Sequence, residues 1–589
     1  MFETEQQQVE QQILAFCKEN GLPEPKLAWG WIPFNGHWGT STSFFQLASQ
    51  AAREAGQKVN VSEKANELAE RVAAYLGTPA GFERVEAVKG YLNLYFSAAD
   101  YAQRVVDAVL EQGKGFGCGA RRGERVMVEF SQPNTHKAFH VGHLRSAILG
   151  DALCNILDAS GYDVVRANYP GDMGLHVIKW LWNYMKHHMG EKPDNDITRW
   201  MGSLYAEAND RLAENPELEA EVRALYGRWD RRDPEVVDLW RETRQWSLDG
   251  FTQMYDELGI RFDRYYFNSE EEQPGKEIVN ELIEKGIAQD ERANDGPVIV
   301  KIDEKLGLTQ EKYRVMVVLR SDSTALYATE DLALAKQKFA DYPDLAHSFY
   351  VVDVRQSLHF QQVFKTLELA GYEWAQRCQH VVYELVTLPG NVILASRDGN
   401  VVLLEDLIRE ATQRALAVVE EKNPDLGSEQ KLAVARAVGI GAIKYPMLAR
   451  ENAKMVTFDW QSALDFNGQA APYIQYAHVR ANSILRKAGG VVPSSRPYDY
   501  AMATSEMQLV DLISRFPKEV QRAAAELKPL QIASIAYDIA QTFTSFYNEC
   551  PVLQVEEPVR SSRLRLVAAA KQALANSLAL LGITAPEAM

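Results

Sequence analysis

The segment from Arg125 to Pro170 constrains the chain most. An apolar run, Arg125 to Phe130 (RVMVEF), leads into QPNTHKAFHVGHLRSAILG, Gln132 to Gly150, and a second apolar run, DVVRANYP, begins at Asp163. Leu144, Ile148, Leu153, Ile156 and Leu157 fall roughly on one face of a helix predicted over Leu144 to Ala159, with Gly161 as a plausible stop. Strand, helix and strand in this order, with apolar strands, predict a parallel sheet covered by helices. Ligands of such sheets bind beyond the carboxyl ends of the strands. That is where His140 and His143 stand around Gly142, at the helix start. A helix N-terminus offers free N–H groups and positive partial charge, which suits phosphate. Gly142 allows close approach to the backbone. Two imidazoles can donate to phosphate oxygens as charge builds. Taken alone, a His-x-Gly-His turn is read equally well as a structural cap.

At 589 residues the chain exceeds one core, since domains hold about 100–200 residues each. With 46% apolar and 24% charged residues it reads as globular. It has no uninterrupted apolar run of the roughly 18 residues that a membrane span needs. The start, MFETEQQQVEQQ, lacks the basic and apolar regions of a signal peptide. Cys17, Cys118, Cys154, Cys378 and Cys550 are scattered, which argues against a disulfide framework or zinc cluster and for a reducing cytoplasm. Net charge is -17, yet residues 466–589 carry +2 and the rest -19, so contact with a polyanion would run through local patches.

The predicted organisation is α/β. Residues 1–112 read as a small α/β unit, with helices near Gln7–Asn20 and Ser62–Leu76 and a strand in GYLNLYFS, Gly90 to Ser97. A Gly-rich linker, EQGKGFGCGARRGE, follows. Residues 122–402 form a Rossmann-like parallel-sheet domain with a Trp-rich helical insertion near 190–290. After the insertion, strands are predicted to resume at Gly296–Ile302, Arg314–Leu319 and Ser348–Val354. Residues 403–465 read as connecting helices and 466–589 as an all-α bundle.

The block VEFSQPNTHKAFHVGHLRSAILGDAL resembles the signature of class I aminoacyl-tRNA synthetases, and specifically of arginyl-tRNA synthetases. GDMG (Gly171 to Gly174), TALYATEDLALAKQK, YVVDVRQSLHFQQVF, FDWQSALDFNGQAAPYIQYAHVRANSILRKA and LLGITAPEAM are similar to that family's blocks, in its order. The resemblance implies an arginine–tRNA ligase. It would use ATP with Mg2+ as a substrate complex, without a tightly bound metal, and act as a cytoplasmic monomer on L-arginine and tRNA(Arg), with tRNA needed for activation.

By the same resemblance, His140 and His143 serve the phosphates, with Gly142, Lys137 and Arg397. Arginine is held by Glu129, Asn134, His143, Tyr327, Asp331 and Gln356. Carboxylates are the natural match for a planar guanidinium. Asn93 and Phe96 match residues that touch tRNA in an N-terminal tRNA-contacting domain. Arg480, Arg486 and Lys487 are candidate phosphate contacts of an anticodon-binding bundle, with Arg560, Arg563, Arg565 and Lys571 beside them. The chain departs from the family at its second signature, normally rich in lysine. Ile393, Leu394, Ala395 and Ser396 stand there before Arg397, with Asp398 next, and Lys137 is expected to compensate. His176 stands where the family usually has Gln. The alternative is a catalytically weak paralogue that binds tRNA or arginine without efficient charging.

Overall fold

The computed structural model describes residues 3–56, 58–139, 141–389, 392–393 and 403–589. The chain divides into two compact units. One comprises residues 1–116, 477–516 and 538–574; the other comprises 117–476, 517–537 and 575–589.

In the first unit, a four-stranded antiparallel sheet has the order Gly30–Trp31, Gly39–Ser43, Tyr91–Phe96, Phe82–Val88. Helices Glu3–Glu19, Phe45–Glu54, Val61–Leu76 and Ala98–Gln112 accompany it. The third begins where the Asn60 side chain accepts from the Ser62 N–H at 3.1 Å, satisfying one of the free N–H groups of a helix start. The predicted helices and strand are all present, with ends moved by a few residues.

The second unit is built on a five-stranded parallel sheet, in the order Cys378–Tyr383, Leu345–Asp353, Arg125–Glu129, Asp163–Asn168, Arg264–Tyr265. The strand Arg125–Glu129 is central, and its residues Val126 to Glu129 are buried. Strand order reverses between it and Leu345–Asp353. Such a reversal opens a crevice at the carboxyl ends. The helix Val141–Ala159 packs tightly on the central strand: a Cβ on Gly150 would lie 2.1 Å from the Phe130 ring. Only glycine allows that approach.

The runs at Gly296–Ile302 and Arg314–Leu319 are strands, as expected, but not strands of the parallel sheet. They form a separate antiparallel sheet with Ala288–Asp290. The insertion is also not wholly helical, because Arg264–Tyr265 returns to the edge of the parallel sheet. An apolar run records burial but not its partner strand, so the sequence did not say which sheet the two runs would join, and a two-residue strand such as Arg264–Tyr265 is too short to show a period. Beyond residue 403 one short strand remains, Val456–Thr457, parallel to Val386–Leu388. The tryptophans form the expected core of the insertion, with Trp180, Trp229, Trp240 and Trp246 buried together. No helix among the described residues is long and apolar enough to cross a membrane.

Candidate active site

The segment between the central strand and its helix is bent against its own preferences. Ser131, Gln132 and His136 have φ of 77°, 47° and 59°, conformations that L residues adopt at a cost of about 1–3 kcal/mol each. Buried hydrogen bonds hold them. The Ser131 N–H donates to Ser146 Oγ at 3.0 Å, and Ser131 Oγ lies 2.7 Å from the Tyr255 hydroxyl. The Gln132 N–H donates to Asn168 Oδ1 at 3.2 Å and the His136 N–H to Ser247 Oγ at 2.9 Å. The result turns Asn134 toward the carboxyl end of the next strand. There Thr135 N–H donates to Gly171 O and Gly171 N–H to Pro133 O, both at 3.0 Å. Gly171 leaves room for the Asn134 carboxamide, since a Cβ would sit 2.4 Å from Asn134 Oδ1 and displace it.

The helix start is anchored from behind. Arg145 is fully buried and donates to the carbonyls of Glu384 and, at 3.1 Å, Asn452. Burial lowers its pKa to about 10. Ser146 Oγ donates to the Val351 carbonyl at 3.0 Å. His143 is half-buried, edge-on to Phe139 at 5.5 Å. Gly142 lies in the first turn of the helix Val141–Ala159, whereas His140 lies outside the described residues. Lys137 is half-buried, with its ammonium 4.9 Å from the Tyr205 ring centroid. Arg397 and the stretch Leu394 to Asp398 also lie outside the described residues, as does the side chain of Ile393.

The helix Tyr327–Asp341 carries Tyr327, 76% exposed, and Asp331 one turn later. Asp331 Oδ2 lies 2.5 Å from His359 Nε2. Gln356 is exposed at the end of the turn Val354–Gln356 that leads into the helix bearing His359. The Asp331–His359 contact therefore joins the helix that carries Tyr327 and Asp331 to the helix that Gln356 precedes.

Glu129 requires a correction. It ends the central strand as expected, but its carboxylate is buried in an ion pair with Lys338 and accepts from Gln132 Nε2 at 2.7 Å. The Lys338 ammonium also lies 3.7 Å from the Tyr350 ring centroid. Lys338 follows Asp331 by seven residues, two helical turns, and so returns to the same face. Its charge takes the place that a guanidinium was expected to fill at Glu129. Sequence reasoning also passed over His136, whose buried ring bonds Thr135 Oγ1 at 2.9 Å and Thr243 Oγ1 at 2.8 Å, and whose burial keeps it neutral. Lys338, His359 and Arg145 were missed too. The seven-residue spacing of Asp331 and Lys338 was the one available signal.

The expected nucleic-acid contacts divide. Asn93 is half-buried on Tyr91–Phe96 and accepts from Ser41 Oγ at 2.7 Å. Phe96 is corrected: it is 2% exposed and stacked on Phe82 at 4.8 Å, so its ring belongs to the core and has no face open to a base. Arg486 and Lys487 are exposed in the last turn of Ala471–Lys487, and Arg480 lies over the Tyr547 ring at 4.8 Å. Arg563 and Arg565 are removed from the candidates. Arg563 Nε donates to Glu506 at 2.8 Å, and Arg565 is buried against Asp107 and the Pro493 carbonyl.

A family model described as "tRNA synthetases class I (R), catalytic domain" matches residues 105–460, and one described as "DALR anticodon binding domain" matches 474–589. Fold and site thus define the catalytic domain of a class I aminoacyl-tRNA synthetase. The arginine–tRNA ligase of Clostridium perfringens is 36% identical over 560 residues, 92% of this chain and 93% of that one. That of Clostridium botulinum strain Alaska E43 is 36% identical over 519 residues, 86% and 88% of the two chains. The solved arginyl-tRNA synthetase of Thermus thermophilus superposes with a TM-score of 0.78 at 28% identity, covering 99% of this chain and 100% of that one. The chain belongs to the arginyl-tRNA synthetase family.

Proposed function

We propose that this protein ligates arginine to tRNA(Arg) at the expense of ATP, releasing AMP and diphosphate. In the first step an arginine carboxylate oxygen attacks the α-phosphorus and diphosphate leaves. In the second, a hydroxyl of the terminal ribose attacks the adenylate carbonyl and AMP leaves. The nucleophile of the first step is already ionised, so positioning and charge stabilisation are the protein's share of the work. The helix start at Gly142, with His140, His143, Lys137 and Arg397, receives the phosphates. Asn134 and Gln356 take the α-amino and carboxylate groups, and Tyr327 and Asp331 the guanidinium. The donors at the phosphate end are cationic or neutral, so they do not fit a resident Mg2+. The ion comes with ATP, held by phosphate oxygens and water, and neutralises phosphate charge.

The observation that supports this reading is the Asp331–His359 contact, which ties the helix carrying Tyr327 and Asp331 to the helix that follows the parallel strand Leu345–Asp353. The domain division follows the sequence reading: 1–112 and the bundle 466–589 for tRNA, 122–402 for chemistry, 403–465 between them. Asn93, Arg480, Arg486 and Lys487 are the tRNA contacts retained. The enzyme acts as a cytoplasmic monomer, and tRNA is bound before the adenylate forms.

The test is charging of unfractionated tRNA with labelled arginine and ATP. Labelled tRNA, with AMP appearing in step, is expected, and ATP–diphosphate exchange should require tRNA. Retained tRNA binding without labelled product would favour the weak paralogue, a reading motivated by the lysine-poor stretch Ile393 to Ser396.

A further inference from the structure

A guanidinium brings one positive charge and five N–H donors into the crevice, and a buried cation needs a paired anion. Most carboxylates at this end of the sheet already have a basic partner. Glu129 has Lys338, Asp331 has His359 at 2.5 Å, and Asp172, fully buried, has Arg244 at 2.9 Å. Glu330 differs. It is half-buried, its carboxylate accepts from the neutral Asn268 amide, and among the described residues no basic side chain pairs with it.

Its position is equally specific. Glu330 lies three residues after Tyr327 and directly before Asp331, in the first turn of the same helix. Asn268 also donates to the Tyr169 hydroxyl at 3.2 Å. Tyr169 stands two residues before Gly171, whose Cα faces the Asn134 carboxamide. A continuous chain of contacts therefore joins the loop that carries Asn134 to Glu330.

We propose that Glu330, oriented by Asn268 beside Asp331, is a second carboxylate for the arginine guanidinium and a determinant of specificity for a cationic side chain. This rests on the reading of arginine as the substrate. Burial, reinforced by Asp331, Glu272 and Asp172, pushes Glu330 up to about 8 against the pull of the Asn268 hydrogen bond. The other ionisable neighbours are Tyr169 and Tyr226, and Arg244 is already committed to Asp172. Glu330 therefore carries a proton at pH 7. Docking of the guanidinium replaces that proton, which passes to the buffer, and leaves a carboxylate–guanidinium pair. Below pH 8, arginine binding should strengthen as pH rises.

The experiment is calorimetric titration of L-arginine into the full chain at pH 7 and pH 9.5, in two buffers of different ionisation heat. Wild type should release most of a proton per arginine at pH 7 and almost none at pH 9.5. Glu330→Gln should weaken arginine binding roughly ten- to hundredfold and abolish the release. Glu330→Asp should weaken binding and keep the release. Glu271, raised to about 7 by burial and the neighbouring Glu270, is the competing proton source, so Glu271→Gln is measured alongside and should keep the release. Arginine binding by wild type without proton release overturns the proposal, as does release that survives in Glu330→Gln or is lost in Glu271→Gln. Absence of any arginine binding by wild type sinks the substrate reading instead.

Discussion

Lys338 and Glu129 form an ion pair in which the lysine side chain is wholly shut off from solvent and the glutamate nearly so. It ties the helix Tyr327–Asp341 to the end of the central strand. Removing one partner of such a pair strands the other charge in a medium of low polarity. Lys338→Met should therefore destabilise the protein by about 3–5 kcal/mol. Adding Glu129→Gln should restore part of the loss. Urea unfolding of the two single variants and the double variant measures this; a double variant no better than Lys338→Met would mean that the two charges are not coupled.

Asp331→Asn keeps the shape and removes the charge. One charge-assisted hydrogen bond is worth about 1.5–3 kcal/mol, so the arginine KM should rise roughly ten- to over a hundredfold. The KM for ATP should hold. An arginine requirement equal to wild type would place the guanidinium elsewhere.

Lys137→Ala addresses the second signature, where no lysine stands. If Lys137 supplies the missing positive charge, the tRNA-dependent ATP–diphosphate exchange rate should fall at least about tenfold, in line with losses of single transition-state donors. Arginine affinity should change little. An exchange rate that does not move would end its compensating role.

His176 predicts the acid side of the stability curve. Burial, helped by the Lys137 ammonium, holds it at about 3, against 6.5 for a free imidazole. Between those values the unfolded chain binds a proton that the folded chain refuses. The contribution is fully present above about pH 6.5 and is lost as pH falls, by no more than about 1.4 kcal/mol per pH unit. His136, buried and lowered in the same way, adds with the same sign. In His176→Gln, urea midpoints at pH 7 and pH 5 should lie closer together than in wild type. Equal separation in both proteins would show that His176 titrates normally.

Phe96→Ala should cost about 3–5 kcal/mol, the usual loss for a buried aromatic, while the fraction that stays folded binds tRNA as before. Weaker tRNA binding by the folded fraction, measured by filter retention, would return Phe96 to the interface.

The strand–helix–strand at Arg125 to Asn168, the Trp-rich helices and the helical C-terminal segment were legible because local periodicity and burial coincide there. Asn134, Tyr327, Asp331 and Gln356 were named through motif blocks; in the structure Asn134 follows the strand Arg125–Glu129, Gln356 follows the strand Leu345–Asp353, and Tyr327 and Asp331 share one helix. Phe96 and Arg565 were misread because an aromatic or arginine in a matched block has the same letter whether it faces solvent or the core. Glu330 was not singled out because a carboxylate on a helix is usually a solvated one; its burial against Asn268 is a contact between residues far apart in sequence.

The sequence by itself determined a parallel α/β unit in which the central strand runs into a helix, since apolar runs and helical periodicity are properties of neighbouring residues. Tertiary structure alone decided which charges meet. It gave Glu129 to Lys338, tied Asp331 to His359 and left Glu330 with a neutral amide, because pairing depends on which strands and helices lie side by side. That is fixed by the packing of the whole sheet and is written in no single stretch of the chain.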